Sequence, residues 1–422
     1  MLPIRRAPFS IRRQVSKNIA PRRVSHERNT EASQDTINLV PHSSLQPVPL
    51  LDLSREYTLI REDVLAALTR VCDSQRFVLG PDVERFESLA AAACEVPYAI
   101  GCASGTDALW LALEASGVAK EAAVVTTPFS FFATVSSILR AGAKPLLADI
   151  DPQTFNLAPE AVSALAIEHG DLAAIMPVHL YGQCADMDAL GTIAEQHGAR
   201  LIEDAAQAFG ARFNGIAAGG LGDAAAFSFY PTKNLSAFGD AGMVTTNNAA
   251  IEDRTRILRA HGMRQRYFHE EIGWNSRLDS LQAAVLEVKL TRVAAGNARR
   301  RELAALYATL FTASGITSSS TEDGIVLPTT DPRCEHVFHQ YVIRAPKRSD
   351  LRAFLTEHKI GSEIFYPLCL HEQQSLAHLG YKRGDFPHAE RAAEEVLALP
   401  MFPELREDEV ETVVEAISRF YA

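Results

Sequence analysis

Lys233 lies in a sequence context in which a lysine can act as a nucleophile. It follows an apolar, aromatic segment that Pro231 ends, and it lies in a short polar loop rich in small residues. A lysine ammonium that loses its hydration or lies near other cations gives up its proton more readily, and the neutral amine attacks aldehydes. A surface lysine in a turn has the same local sequence, so this feature alone does not decide its role.

A carboxylic acid and an amide occur together earlier in the chain. In LIEDAAQ, Asp204 ends an apolar predicted strand and Gln207 follows three residues later. Sheets built from alternating strands and helices bind ligands beyond the carboxyl ends of their strands, where Asp204 is expected to lie. Read alone, the same motif fits the N-cap of a helix at least as well.

A third polar feature precedes a predicted helix. The segment CASGTDALWLAL places Ser104, Gly105 and Thr106 at the start of that helix. The free N–H groups and the dipole of a helix N-terminus attract phosphate, and a glycine lets the backbone approach it closely. Serine and threonine are also common N-caps where no ligand binds.

Together, the phosphate site, the strand-end acid and the loop lysine are the parts needed to hold pyridoxal phosphate. The lysine bonds to the cofactor's aldehyde carbon, and the acid pairs with the pyridinium nitrogen. Asp204 and Lys233, which are 29 residues apart, are therefore the predicted catalytic residues. By keeping the ring nitrogen protonated, the acid makes the ring an electron sink.

The elements that must position these residues alternate between strands and helices. Short apolar runs predict strands within residues 122–128, 144–150, 172–182, 200–210, 223–231 and 242–248. Longer runs with helical periodicity predict helices within 108–116, 131–142 and 187–198. This alternation predicts an α/β fold with a mostly parallel sheet covered on both faces.

The ends of the chain have a different character. The first 28 residues carry eight basic side chains and one acid, so residues 1–46 are predicted to be a disordered basic extension. A large cofactor-binding domain with its N-terminal segment is predicted over 47–295, and a smaller C-terminal domain over 296–422. In the small domain, 324–328 and 339–345 are predicted strands. Residues 349–359 and 389–399 are predicted helices, the second with Ala392, Val396 and Leu399 on one apolar face.

Composition narrows the class of protein. The 422 residues are 47% hydrophobic and 22% charged, as in globular proteins, and the net charge of −11 argues against bulk nucleic-acid binding. No apolar stretch approaches the roughly 20 residues of a membrane span. No metal-ligand spacing is present. Six scattered cysteines fit a reducing compartment, so we expect a cytoplasmic protein without a membrane partner.

From about Leu51 to Leu405, the sequence resembles the DegT-type nucleotide-sugar aminotransferases, which are fold-type I enzymes that depend on pyridoxal phosphate. The resemblance rests on ordered stretches along the chain, namely ASGTDAL, TTPFSFFAT, VHLYGQCADMDAL, IEDAAQAFGA, FSFYPTKNLSAFGDAGM, GWNSRLDSLQAA and HVFHQYVIR. It implies a mostly parallel seven-stranded sheet and a smaller α+β C-terminal domain.

The resemblance also assigns roles to individual residues. It implies that Lys233 bonds to the cofactor and moves the proton between substrate and cofactor carbons, and that Asp204 pairs with the pyridinium nitrogen. The other implied cofactor contacts are Gln207 at the ring's phenolic oxygen, Gly105, Thr106 and Ser228 at the phosphate, Phe131 stacked on the ring, and Asn275 reaching the phosphate from a neighbouring subunit. The last of these implies a homodimer with shared active sites.

The implied reaction transfers an amino group from glutamate to a keto group of a nucleotide-linked sugar, with the 3-keto position favoured, for amino sugars of surface polysaccharides or glycoconjugates. His179, Arg264 and Arg266 are the predicted substrate contacts. Both arginines can instead be solvated and pair with Glu270 and Glu271. Two other functions stay open: dehydration or elimination on a nucleotide sugar, and a non-enzymatic regulatory protein that keeps the fold.

Overall fold

The computed structural model describes residues 47–422. The predicted basic extension, residues 1–46, lies outside the described residues. The helices are α1 (Leu53–Ser74), α2 (Pro81–Ala93), α3 (Gly105–Ala115), α4 (Ala133–Arg140), α5 (Pro159–His169), α6 (Met187–His197), α7 (Ala249–Leu258), α8 (Ser280–Ser314), α9 (Arg348–Glu357), α10 (Pro387–Glu395) and α11 (Glu407–Tyr421). The strands are β1 (Tyr98–Cys102), β2 (Ala123–Thr126), β3 (Lys144–Leu147), β4 (Leu172–Ile175), β5 (Arg200–Asp204), β6 (Arg212–Phe213), β7 (Ile216–Ala217), β8 (Ala224–Ser228), β9 (Gly242–Thr246), β10 (Met263–Gln265), β11 (Phe268–His269), β12 (Cys334–Glu335), β13 (Tyr341–Arg344) and β14 (Val396–Leu399).

A seven-stranded sheet organises the larger part of the fold. Its strand order is β1-β9-β8-β5-β4-β2-β3, and only β9 runs antiparallel to its neighbours. The predicted mostly parallel sheet is therefore confirmed. Because β9 is reversed, its first residue, Gly242, pairs with Cys102 at the end of β1 and with Ser228 at the end of β8. These chain segments meet at one edge of the sheet.

Alternating side chains of the strands fill two apolar cores, one on each face of the sheet. Val125, Ile175 and Ala225 belong to one core, while Val124 and Ala174 belong to the other. This period of two is what a strand requires when both of its faces are buried. The sheet is thereby held rigidly between helical layers, and the loops at its carboxyl edge have a fixed base.

The C-terminal part has its own apolar core around the antiparallel pair β13 and β14. The predicted helix over 389–399 is wrong in its second half, since α10 ends at Glu395 and β14 follows at once. All four residues of β14 are buried. A run that is apolar on every side suits a strand covered on both faces better than the single apolar face of a surface helix.

A single helix, α8, passes through the predicted domain boundary at residue 295. Its residues Ala283 and Leu286 pack in the core of the large part, whereas Tyr307 and Phe311 pack in the C-terminal core. Val48, at the start of the described chain, also joins the C-terminal core and pairs with the segment at Ile360. The described residues, 47–422, belong to one compact unit.

The two parts are also joined by a helix cap that crosses between them. The carboxylate of Asp149, just after β3, accepts hydrogen bonds from the backbone N–H groups of His388 and Ala389, both at 3.0 Å. These groups lie in the first turn of α10, whose own N-cap residue, Phe386, provides no side-chain acceptor. Asp149 therefore satisfies free donors and favours the positive end of the helix dipole.

Candidate active site

The turn between β1 and α3 has the geometry of a phosphate cradle. Ser104 caps the helix by accepting a hydrogen bond from Asp107 N–H at 3.1 Å, so the N–H groups that follow point out of the turn. A Cβ atom added to Gly105 would lie 2.5 Å from Cβ of Ser228. Only glycine fits at this position, and the close approach brings the start of α3 against the end of β8.

Asp204 is a buried carboxylate at the end of β5, with 4% of its surface exposed. Its Oδ2 atom accepts a hydrogen bond from Thr134 Oγ1 at 2.8 Å, and Oδ1 accepts one from Ala206 N–H at 3.3 Å. Burial raises the pKa of this carboxyl, while the Thr134 hydroxyl, the Ala206 N–H and the positive charge of Lys233 oppose that rise.

Lys233 lies in the loop after β8, half-buried, and its ammonium interacts electrostatically with Asp204. Its backbone N–H donates to the Tyr230 carbonyl at 2.8 Å, which forms the tight turn. Loss of water lowers the pKa of the Lys233 ammonium from 10.5 to about 8, although Asp204 raises it. The amine is therefore neutral in a useful fraction near physiological pH, as a nucleophile or general base requires.

Asn234 anchors the lysine loop to the C-terminal part. Its Nδ2 atom donates to Oδ1 of Asn297 at 2.8 Å, and its Oδ1 atom accepts from Nδ1 of His339 at 3.0 Å. Burial and the nearby charges of Lys233 and Arg300 lower the pKa of His339 well below its usual value. The ring is therefore neutral and serves as a hydrogen-bond donor that fixes the loop beside Lys233.

Gln207 lies between the large part and Tyr366 from the C-terminal part. Its Oε1 atom accepts from Tyr181 N–H at 2.6 Å, and its Nε2 atom donates to the Tyr366 hydroxyl at 3.2 Å. The Tyr366 ring lies 6.3 Å from that of Phe131, centroid to centroid, and 60% of the Phe131 surface is exposed. The amide and an accessible aromatic ring thus border the same space.

The structure corrects the predicted role of His179. The ring is fully buried, with Nε2 at 3.0 Å from the Glu203 carboxylate and Nδ1 accepting from Ala185 N–H at 3.2 Å. Both nitrogens are used inside the protein, so neither is free to contact a substrate. The His179 backbone N–H donates to the Asp204 carbonyl at 3.0 Å, so this residue fixes the end of β5 instead.

The other predicted substrate and partner residues lie on the segment between α7 and α8. Arg264 is exposed and pairs with Asp253 and, at 3.5 Å, with Glu270, so its charge is already matched within the chain. The Arg266 guanidinium lies over the Tyr267 ring at 4.8 Å. Asn275 is exposed. Within the described part of the chain, none of these contacts Lys233 or Asp204.

Three residues of the site were not predicted from the sequence. Thr134, Tyr366 and Asn234 each contact a predicted residue or its loop. Thr134 lies inside the TTPFSFFAT stretch and Asn234 directly follows Lys233, so their positions in the sequence could have indicated that they belong to the site. Tyr366 lies more than 150 residues beyond Gln207, and no local pattern relates the two.

The residues present fit pyridoxal phosphate. The turn at Gly105, where a Cβ would collide with Ser228, offers N–H groups to a phosphate. A buried acid, Asp204, and an amine of lowered pKa, Lys233, interact electrostatically, and these are the two groups that the ring nitrogen and the aldehyde of this cofactor require. A mostly parallel seven-stranded sheet with this site at its carboxyl edge defines the class: a fold-type I, pyridoxal-phosphate-dependent transferase.

Comparison with known proteins identifies the family. The DegT/DnrJ/EryC1/StrS aminotransferase family matches residues 58–418, so the chain belongs to that family of aminotransferases. It is 48% identical over 374 residues to a "pleiotropic regulatory protein" of Geobacillus stearothermophilus, covering 89% of this chain and 98% of that protein. It is also 38% identical over 372 residues to a UDP-N-acetyl-3-dehydro-alpha-D-glucosamine 3-aminotransferase of Acidithiobacillus ferrooxidans. This match covers 88% of this chain and 97% of that protein.

A solved structure supports the same assignment. Streptomyces venezuelae DesV in complex with a ketimine intermediate superimposes with a TM-score of 0.84 at 39% identity, covering 89% of this chain and 98% of DesV. The predicted fold class, enzyme class and cofactor are thereby confirmed: the chain is an aminotransferase that uses pyridoxal phosphate. In the described residues, no helix has both the length and the apolar character to cross a membrane.

Proposed function

We propose that this aminotransferase moves the amino group of glutamate to the 3-keto group of a nucleotide-linked sugar. The observation that carries the chemistry is the electrostatic interaction of a buried Asp204 with a Lys233 of lowered pKa, together with the close approach of Gly105 to Ser228. The substrate class is supported by the relatives, since the Acidithiobacillus ferrooxidans protein is named for a UDP-linked 3-dehydro sugar. The products would serve surface polysaccharides or glycoconjugates.

Each residue of the site has a distinct task in this proposal. Pyridoxal phosphate, when bound, supplies a ring that takes up the electron pair of the bond broken at the substrate carbon. The N–H groups at the start of α3, with Thr106 and Ser228, bind the phosphate, and Phe131 covers the ring. Asp204 pairs with the protonated ring nitrogen. Lys233 Nζ takes a proton from the donor's carbon and, in the second half-reaction, delivers one to the sugar's carbon.

Competition between acceptors tests the substrate class. Enzyme that has been loaded with amine from glutamate is mixed with nucleotide 3-keto sugars, 4-keto sugars, pyruvate or oxaloacetate, and the return of the visible absorption is followed by stopped flow. We expect a 3-keto sugar to discharge the amine at least about a hundredfold faster than either simple keto acid, because binding energy from the nucleotide is used in the transition state. Equal discharge by the keto acids across a broad sugar panel would contradict the proposal.

The β10–β11 hairpin is our proposed contact for the diphosphate. Arg264 is paired with Asp253, whereas the Arg266 guanidinium lies against Tyr267 and has no carboxylate partner among residues 47–422. We therefore propose Arg266 as the diphosphate contact of the two. Its replacement by alanine should raise KM for the nucleotide sugar, and the glutamate half-reaction should be unaffected because glutamate carries no diphosphate.

We further propose a homodimer whose active sites are shared. The chain exposes large apolar side chains around Asn275, with Ile272 at 87% and Trp274 at 50% of their surfaces, and apolar surface of this kind marks an interface. Asn275 makes no contact with Lys233 or Asp204 of its own chain within the described residues. These facts support contact of Asn275 with the phosphate of a partner's site. A cytoplasmic location, supported by six free cysteines, is likewise a proposal.

Complementation between inactive chains tests the shared site. Lys233→Ala removes the amine, and Asn275→Asp places a negative charge against a phosphate. In a hybrid dimer, one site receives both changes and the other receives neither, so random mixing should restore about a quarter of wild-type activity. The measurement is activity after subunit exchange, which a tagged pull-down confirms. Activity equal to the average of the two unmixed variants would show that each site is built from one chain.

A further inference from the structure

Two hydroxyl groups form a hydrogen-bonded chain that ends on Asp204. Thr134 Oγ1, in the first turn of α4, lies 2.8 Å from Asp204 Oδ2, and Ser130 Oγ lies 2.8 Å from Thr134 Oγ1. Thr134 is fully buried, and Ser130 and Asp204 are each only 4% exposed. Hydroxyl groups buried to this degree are held by their hydrogen bonds, so their arrangement is fixed by the fold.

The direction of the donors in this chain depends on the charge of Asp204. An ionised carboxylate only accepts, so Thr134 must give it the single hydroxyl hydrogen. The Thr134 oxygen then accepts from Ser130, and both hydroxyl hydrogens point toward the carboxylate. If Asp204 carried a proton on Oδ2, this order would be broken. The chain therefore favours the ionised form of Asp204 in a site where burial opposes it.

We propose that Thr134, supported by Ser130, is a positioning residue for amino transfer: the hydroxyl pair keeps the Asp204 carboxylate charged and oriented for the cofactor's ring nitrogen. The inference rests on the proposed pairing of Asp204 with that nitrogen. Each carboxylate oxygen has two acceptor positions. Oδ2 uses one for Thr134 and Oδ1 uses one for Ala206 N–H, so capacity for a further donor remains.

The other groups that face Asp204 come from different elements. Lys233, in the loop after β8, lowers its pKa by charge, and the His179 ring beyond β4 lies nearby. Burial and, to a smaller extent, the charge of Asp204 raise the pKa of the Tyr366 phenol from the C-terminal part. The Thr134 hydroxyl is the strongest of the interactions that hold the pKa of Asp204 down. Its removal should therefore raise the pKa of the carboxyl further.

The test compares Thr134→Val, which keeps the shape but loses the hydroxyl, with Thr134→Ser, which keeps the hydroxyl. Ser137→Ala is the matched control, because Ser137 is also a buried hydroxyl of α4 but donates to the Thr134 carbonyl at 3.0 Å. Two quantities are measured: the Kd of pyridoxal phosphate for the apoprotein, and the pH at which this affinity falls on the acid side. Melting of the apoproteins monitors folding.

For Thr134→Val we expect a Kd of pyridoxal phosphate about tenfold higher. The fall of affinity on the acid side, the acid limb, should move up by about one pH unit. The free energy lost with a hydrogen bond to a charged group is of that order. Ser130→Ala should raise the Kd and the pH of the acid limb by smaller amounts. In Thr134→Ser and Ser137→Ala, both quantities should stay near the wild-type values. If Thr134→Val does not fold, Thr134→Ala is compared with Thr134→Ser in its place.

Two results would overturn the inference. One is a Thr134→Val protein with unchanged affinity and pH limb. The other is an equal loss in Thr134→Val and Ser137→Ala, which would show a packing effect. Asp204→Asn separates this inference from the function on which it rests. If Asp204→Asn weakens cofactor binding and Thr134→Val does not, only the positioning role fails; if Asp204→Asn binds normally, the role of Asp204 fails as well.

Discussion

Replacing Lys233 with alanine is expected to lower kcat for amino transfer by about 10³- to 10⁴-fold, because the variant lacks the amine that we propose moves the proton at the substrate carbon. The protein should still bind pyridoxal phosphate through the cradle at Gly105 and through Asp204. In the wild type, borohydride should trap the cofactor covalently, and peptide mapping should find it on Lys233. Trapping on a different lysine would contradict the assignment.

The same residue predicts a dependence on pH with a definite sign. Burial lowers the pKa of the Lys233 ammonium from 10.5 to about 8, so the neutral amine increases as pH rises toward and through 8. At pH 7 this shift raises the neutral fraction by roughly three hundredfold over an ordinary lysine. The rate at which apoprotein binds the cofactor covalently should therefore rise between about pH 7 and 8 and then level off. A rate that kept rising up to pH 10 would show an unshifted lysine.

Asp204→Asn is expected to lower kcat by about 10²- to 10³-fold, because an amide of the same shape cannot hold a positive charge on the ring nitrogen. Lys233 should still be trapped by borohydride in this variant, so a loss of rate cannot be attributed to loss of the lysine. Asp204→Glu, which keeps the charge but moves it, should retain more activity than the asparagine variant. Comparable activity in wild type and Asp204→Asn would remove Asp204 from the mechanism.

The stability of the same variant should move in the opposite direction from its activity. The pKa of Asp204 is raised in the folded protein, so at neutral pH the ionised carboxylate opposes folding, as it is better solvated in the unfolded chain. Asparagine removes that charge. Apoprotein of Asp204→Asn should therefore melt at the wild-type temperature or above it at pH 7. A large fall in the Tm of Asp204→Asn would contradict this expectation. It would show that the hydrogen bonds from Thr134 and Ala206 to the charged Asp204 carboxylate stabilise the folded state by more than burial of the charge destabilises it.

Most of the local architecture could be predicted from the sequence. Strands β2, β3, β4, β5, β8 and β9 lie within predicted segments, and so do α4 and α6, whereas α3 begins three residues before its predicted segment. The periods of two and of about 3.6 residues are properties of short segments and need no knowledge of the partners. β1 was missed. It is a short edge strand of small and apolar residues whose pairing with β9 is made across about 140 residues of chain.

The sequence by itself therefore determined the alternation of elements, the Lys233 loop, the strand-end Asp204 and the glycine at the start of α3, because each depends on neighbouring residues. Only the tertiary structure decided that Gly105 lies against Ser228, that Thr134 donates to Asp204, and that Tyr366 meets Gln207. It also turned His179 inward to Glu203 and made a strand of Val396–Leu399. Such outcomes depend on which segments pack together, and the free energy of that packing is not contained in any single segment.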